Sequence, residues 1–176
     1  MEPDKNIDGI LQTWAYEPGN VVARFVEGDD GREVLQMRIE MGVLQMEVDG
    51  RPDGQRPYGA ETYFDYLLSE SLRDGDSFVL SEAQCEEVDR EFVQFYHRRI
   101  CWLALREFRK AKLDAEHTLE LMEFAALHGP DEDWILSHEQ YRPYVMFHQV
   151  KASALAALDE GGAETAIVEI EDGIRR

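Results

Sequence analysis

The side chains best placed to do chemistry crowd into one short run, Gly50-Arg51-Pro52-Asp53-Gly54-Gln55-Arg56. Two arginines bracket a carboxylate, and Gly50, Pro52 and Gly54 around it impose a tight loop. Guanidinium groups fork onto carboxylates and phosphates, so Arg51, Asp53, Gln55 and Arg56 form a candidate site for a small anionic ligand, preorganised by the loop. A structural role competes with this: both arginines pair with nearby acids and pin the elements on either side. The run has neither the spacing nor the lysine of a phosphate-binding loop.

Other chemistry-bearing residues are sparser. Asp114, His117 and Glu120 stand at i, i+3 and i+6, which could bring two carboxylates near one imidazole. One such set is half a metal site, because a carboxylate-histidine centre needs facing helices. A solvated helix face is the simpler reading, and no metal site is assigned. His138 and His148 flank a tyrosine-rich stretch and read as packing or surface residues. Cys85 and Cys101 have no obvious histidine partner, and no serine sits in a nucleophile elbow. No catalytic residue and no cofactor is therefore assigned.

The elements that must position the loop follow from periodicity. Leu35, Met37 and Ile39 alternate with Gln36, Arg38 and Glu40, the period of a half-buried strand. After Gly42 the parity flips, and Leu44, Met46 and Val48 become the apolar set. A two-residue turn at Met41-Gly42 accounts for the flip and sets Ile39 opposite Leu44, Met37 opposite Met46 and Leu35 opposite Val48. A bulge at Gly42 is the alternative. Upstream, Asp29-Asp30-Gly31 fits a three-residue hairpin loop with Gly31 left-handed, which pairs Phe25 with Leu35, Ala23 with Met37 and Val21 with Ile39. Three strands then share one apolar face, while Arg24, Gln36, Arg38, Gln45 and Glu47 occupy the other. Such a meander needs helices against its apolar face.

From Gly59 onward the period is 3.6. Ala60 to Leu72 reads as an amphipathic helix. Ser81 with Gln84 forms a capping box that opens a long helix carrying Cys85, Val88, Phe92, Phe95, Tyr96, Ile100 and Leu103. No Gly or Pro occurs between Gly75 and Gly129, yet one helix of that length is unusual in a globular domain. The switch from basic Arg106, Arg109, Lys110 and Lys112 to acidic Asp114 and Glu116 predicts a break near 110–114. A short helix capped by Asp131 comes next. Pro143 then opens a helix that Gly161-Gly162 ends, and Ala163 to Ile174 forms the last.

The fold class expected is α+β: a three-stranded antiparallel β-meander followed by a mostly α-helical, repeat-like hairpin region. The division falls at residues 1–58 and 59–176, which could also pack as one continuous domain. Residues 1–20 read as a loosely ordered start that docks by Trp14.

The formal net charge is −19 and is spread over both halves, a field that repels phosphate backbones and argues against nucleic-acid partners. There is no apolar run of transmembrane length and no signal-peptide pattern at the N-terminus, so no membrane partner is expected. The two cysteines, 16 residues apart on one helix, lie roughly 24 Å from each other, beyond disulfide reach. Buried thiols point to a reducing compartment, and a cytoplasmic location is expected.

The run QMRIEMGVLQMEVDGRPDGQRPYG resembles the N-terminal signature of a family of bacterial proteins, without an established reaction, that carry a UvrB/UvrC motif. The similarity covers roughly residues 20–70. The C-terminal ASALAALDEGGAETAIVEIEDGI is similar to the small helical hairpin of that motif and equally to a tetratricopeptide-type hairpin. Its second helix is not basic, so the resemblance implies a hairpin used for protein contacts and not DNA repair.

Two functions are thus expected from the sequence. The first is a non-enzymatic protein-protein interaction, scaffold or regulatory role, with a protein partner or homodimer contact through Met146, Val150, Ile167, Ile170 and Ile174. The second is an anionic-ligand or enzymatic site at the Arg51–Arg56 loop.

Overall fold

The structure, a computed structural model, describes residues 6–175; residues 1–5 of the expected loose start, and Arg176, lie outside it. Three strands form one antiparallel meander: β1 (Val22–Glu27), β2 (Glu33–Ile39) and β3 (Gly42–Glu47). Helices α1 (Asp8–Thr13), α2 (Tyr63–Asp74), α3 (Glu82–Ala104), α4 (Phe108–His128), α5 (Glu132–Glu139), α6 (Arg142–Gly161) and α7 (Ala163–Ile174) complete it. The class is α+β, with a short sheet followed by helices.

The first hairpin has the expected register. Ala23 pairs with Met37 and Phe25 with Leu35, and Gly31 closes the loop at φ +82°. The second hairpin turns one residue earlier than expected. Glu40 and Met41 form the turn, so Met37 faces Leu44, Leu35 faces Met46 and Ile39 faces Gly42. The offset from the expected pairs is two residues. A two-residue slip keeps every side chain on its face, so the hydrophobic pattern cannot distinguish the two registers. Neither turn residue takes a positive φ, so glycine is not required inside the turn.

The polar face of the sheet is a hydrogen-bonded ladder. Arg24 donates to Gln36 Oε1 at 3.0 and 2.8 Å, and Gln36 Nε2 donates to Gln45 Oε1 at 2.9 Å. Trp14 docks on this face. Arg24 sits 4.1 Å over its ring and Arg38 Nε donates to its carbonyl at 2.8 Å.

α3 has 23 residues, which is about 35 Å of helix, and this length divides the core in two. Its first half packs Cys85, Val88 and Phe92 against Tyr63, Phe64 and Leu67 of α2 and Met122 and Phe124 of α4. Its second half packs Cys101 and Trp102 against Leu35 and Met46 of the sheet and Ala152 of α6. The sheet and α2 therefore sit at opposite ends of one α3–α4 hairpin, and the loop between them must span α3.

The break between α3 and α4 falls at 105–107, not at 110–114. Arg106 adopts φ +62°, the left-handed conformation that usually calls for glycine, and Glu107 Nα donates to the Trp102 carbonyl at 2.8 Å. The basic residues thus open α4, against its dipole. Local contacts offset this: Lys110 Nζ lies 4.8 Å over Trp102, and Arg109 Nε pairs with Glu160 Oε1 at 2.5 Å. The other boundaries agree with expectation at Asp131, Gly161-Gly162 and Ala163–Ile174, while α2 begins three residues late, capped by a Thr62–Asp65 box.

Candidate functional site

The Gly50–Gly54 loop is a tight turn, with Gly54 Nα donating to the Arg51 carbonyl at 2.9 Å and left-handed glycines at both ends. It splits the four candidate residues. Arg51 points inward and is 4% exposed. Its guanidinium meets Glu87 at 2.9 Å, Asp53 at 3.4 Å and Glu91 at 3.6 Å. Asp53 accepts from Gln55 Nα and from Gln94 Nε2, both at 2.9 Å, which ties the loop to α3. Gln55 and Arg56 are exposed, and Arg56 pairs with exposed Glu61 at 3.1 Å. One arginine is therefore committed to three carboxylates and the other faces solvent.

The loop rests on a buried polar framework. Arg98 donates through Nε and Nη2 to both oxygens of Asp114, at 2.9 and 2.8 Å. Its Nη1 holds the carbonyls of Glu47 and Gly50 at 3.1 and 2.8 Å. Trp102 Nε1 also donates to Asp114, at 3.0 Å. His117 meets a different acid, buried Glu91, at 3.0 Å. Asp114 and His117 thus serve separate networks, and Glu120 is exposed. Among the described residues no cluster of three or more His, Cys, Asp or Glu could hold a metal ion.

Both cysteines are buried and free. Burial pushes the Cys101 thiol up to about 12 and raises Cys85, so neither is a thiolate at neutral pH. No helix among the described residues is long and apolar enough to cross a membrane.

A cavity of about 670 Å3, which no sequence motif marks, lies between α3, α4, α5 and the start of α6. Helical spacing aligns Asp89, Phe92, Tyr96 and Arg99 along one face of α3 to form one wall. Thr118 and Met122 come from α4, Ser137 and His138 from α5, and Tyr141, Tyr144 and Val145 from the segment opening α6. His138 stacks on Phe92 at 4.3 Å, and burial holds its pKa below the ordinary value.

Arg99 is the cation that lines this cavity, and it is 1% exposed. Its partners are neutral. Nε donates to His148 Nδ1 at 3.2 Å, and Nη1 donates to Thr118 Oγ1 at 2.9 Å. The Thr118 hydroxyl gives its own proton to the Asp114 carbonyl at 2.7 Å, so it faces Arg99 as an acceptor. Burial, with Arg99 and then Lys151 adding to it, pushes His148 down to about 4, which keeps the ring neutral. Arg99 forms no ion pair among the described residues, because the neighbouring carboxylate of Asp114 is taken by Arg98 and Trp102. A recognisable signal existed in the sequence: Arg99 falls on the apolar stripe of α3, three and seven residues after Tyr96 and Phe92.

The candidate interface residues also divide. Met146 and Val150 are partly buried, and Val150 packs so closely on α7 that a Cβ at Gly173 would run into it. Ile167, Ile170 and Ile174 are exposed by 53%, 43% and 79%, so they form an open apolar strip on α7. In comparisons with known proteins, the chain matches no family model, no curated protein and no solved structure.

Proposed function

We propose that this chain is a non-catalytic binding protein that holds a small, apolar-bodied molecule in the cavity between α3, α4, α5 and α6. One observation supports the reading: aromatic and aliphatic walls close around a few convergent polar groups, chiefly Arg99. Small-molecule sites have this composition and a volume of roughly 300–1,000 Å3. Ligand-observed NMR with a panel of aromatic fragments tests it. Fragments should bind the wild type and be displaced from Val93→Trp, which adds bulk at a cavity-lining position that is itself half-exposed. Absence of binding at millimolar fragment, or binding that Val93→Trp leaves intact, would refute the proposal.

A separate observation favours a second reading, protein docking on the last hairpin. Ile167, Ile170 and Ile174 recur at i, i+3 and i+7, and all three are open to solvent. The resemblance of this hairpin to UvrB/UvrC and tetratricopeptide hairpins implies the same use. An anion site at the Arg51–Arg56 loop ranks below both readings, because Arg51 is already neutralised by carboxylates.

A further inference from the structure

We infer that the molecule bound in the α3–α6 cavity is a monoanionic carboxylate on a flat apolar body, with its carboxylate against Arg99. The inference rests on the cavity reading above and goes further by assigning the ligand's charge.

A buried guanidinium is costly unless it is paired and fully hydrogen-bonded. Of the five N–H groups of Arg99, one goes to His148 and one to Thr118. Nη2 has no protein acceptor among the described residues, although the residue lines the cavity. The neighbouring buried arginines differ. Arg98 is spent on Asp114 and two carbonyls, and Arg51, although its Nε makes no hydrogen bond, is neutralised by three carboxylates within 3.6 Å. Arg99 is thus a fixed cation with free donors on a cavity whose lining is mainly apolar, and a carboxylate supplies the matching charge and acceptor geometry.

The surroundings set the ligand's charge at one. A single guanidinium balances a single negative charge. Asp89 lies at the cavity with a half-exposed side chain, its Oδ1 2.9 Å from His138 Nε2, and would repel a second. The formal charge of −19 adds to that repulsion, so a phosphate dianion is disfavoured. The walls set the body. Tyr96 and Tyr144 line the cavity, and their rings pack directly on each other at 6.5 Å, so together they offer one continuous aromatic surface for a flat apolar group to lie against.

The test compares two probes of equal shape, 1-naphthaleneacetate and its neutral amide, by isothermal titration at pH 7 on the full chain. The acid should bind at least about ten-fold tighter than the amide. The preference should vanish in Arg99→Met, a variant whose fold is checked by circular dichroism. The comparison within the wild type does not depend on that variant folding. Equal binding of acid and amide at the cavity, blocked by Val93→Trp, would overturn the carboxylate inference and leave the cavity reading standing. Binding of neither probe at millimolar concentration would overturn both.

Discussion

Glu91 and His117 meet in the core of the protein, with Glu91 Oε1 3.0 Å from His117 Nε2. Glu91 is 0% exposed, yet its carboxylate is saturated: it also accepts from the backbone N–H groups of Tyr63 at 2.7 Å and Phe64 at 3.0 Å. These are the first two residues of α2, so a side chain from α3 serves as the cap of another helix. The third N–H of α2, from Asp65, goes to Thr62. His117 is in turn fixed by stacking on Phe95 at 3.8 Å. Glu91→Gln would put an amide N–H₂ where an acceptor is needed, so it should cost about 2–3 kcal/mol, and Glu91→Ala about 3–5 kcal/mol. Urea unfolding measures both. A loss below 1 kcal/mol for Glu91→Ala would show that the cap does not hold α2 in place.

The same residues show what the sequence could disclose. Periodicity identified the strands, the helix faces and the first hairpin register, because burying one face of a strand or helix leaves a repeating pattern. It could not place Glu91 or Arg99, which interrupt apolar stripes, since a charge there is explained only by a partner far along the chain. Glu91 finds its partners near residues 63 and 117, and Arg99 near 118 and 148. The α3–α4 break departs from the charge pattern for a related reason. Charge patterning follows the dipole rule, and here Arg109 and Lys110, in the first turn of α4, defy it through contacts with Glu160 of α6 and with Trp102. The loop's arginines were identifiable as a pair, but nothing local says that one turns in and the other out.

His148 should make stability depend on pH. Its ring titrates near 6.5 in an unfolded chain and near 4 in the fold, where burial and then Arg99 disfavour the charged form. Between those values the unfolded state binds the extra proton, so stability is full above about 6.5 and is lost as pH falls toward 4. The loss is on the order of 2–3 kcal/mol. Burial also lowers His97 and His138, which adds in the same direction. His148→Gln keeps an acceptor for Arg99 Nε and removes the titration. Urea midpoints at pH 7.5 and 5.0 should therefore fall more for the wild type than for the variant, and equal falls would contradict the assignment.

Two backbone positions with positive φ should respond differently to substitution. Gly162 joins α6 to α7 at φ +84°, ψ −173°, a conformation nearly closed to other residues, so Gly162→Ala should cost about 1–3 kcal/mol. Arg106 stands at φ +62° between α3 and α4, where a side chain costs about 1–2 kcal/mol. Arg106→Gly relieves that strain but frees the unfolded chain and loses an exposed ion pair with Asp159 at 3.6 Å. These effects nearly cancel, and the variant should lie within about 1 kcal/mol of the wild type. Thermal unfolding of the two variants side by side checks the contrast, and a large loss for Arg106→Gly would mean that its side-chain contacts hold the break.

The open strip on α7 bears on self-association. Ala166 is buried against the rest of the chain, while Ile167, Ile170 and Ile174 are uncovered and no later helix follows among the described residues. An exposed apolar strip of this kind fits the proposed docking of a second copy or a partner. The charge of −19 on each copy opposes pairing, so the contact must be mainly apolar and should tighten as salt screens the repulsion. Light scattering across a concentration series should show the mass rising from 20.3 kDa toward twice that value, more steeply in 0.5 M than in about 0.05 M salt. Ile170→Asp, at an exposed position, should hold the mass at the monomer value without unfolding the chain. A monomer mass for the wild type under every condition would remove the second copy as occupant and leave a different protein as the partner for this face.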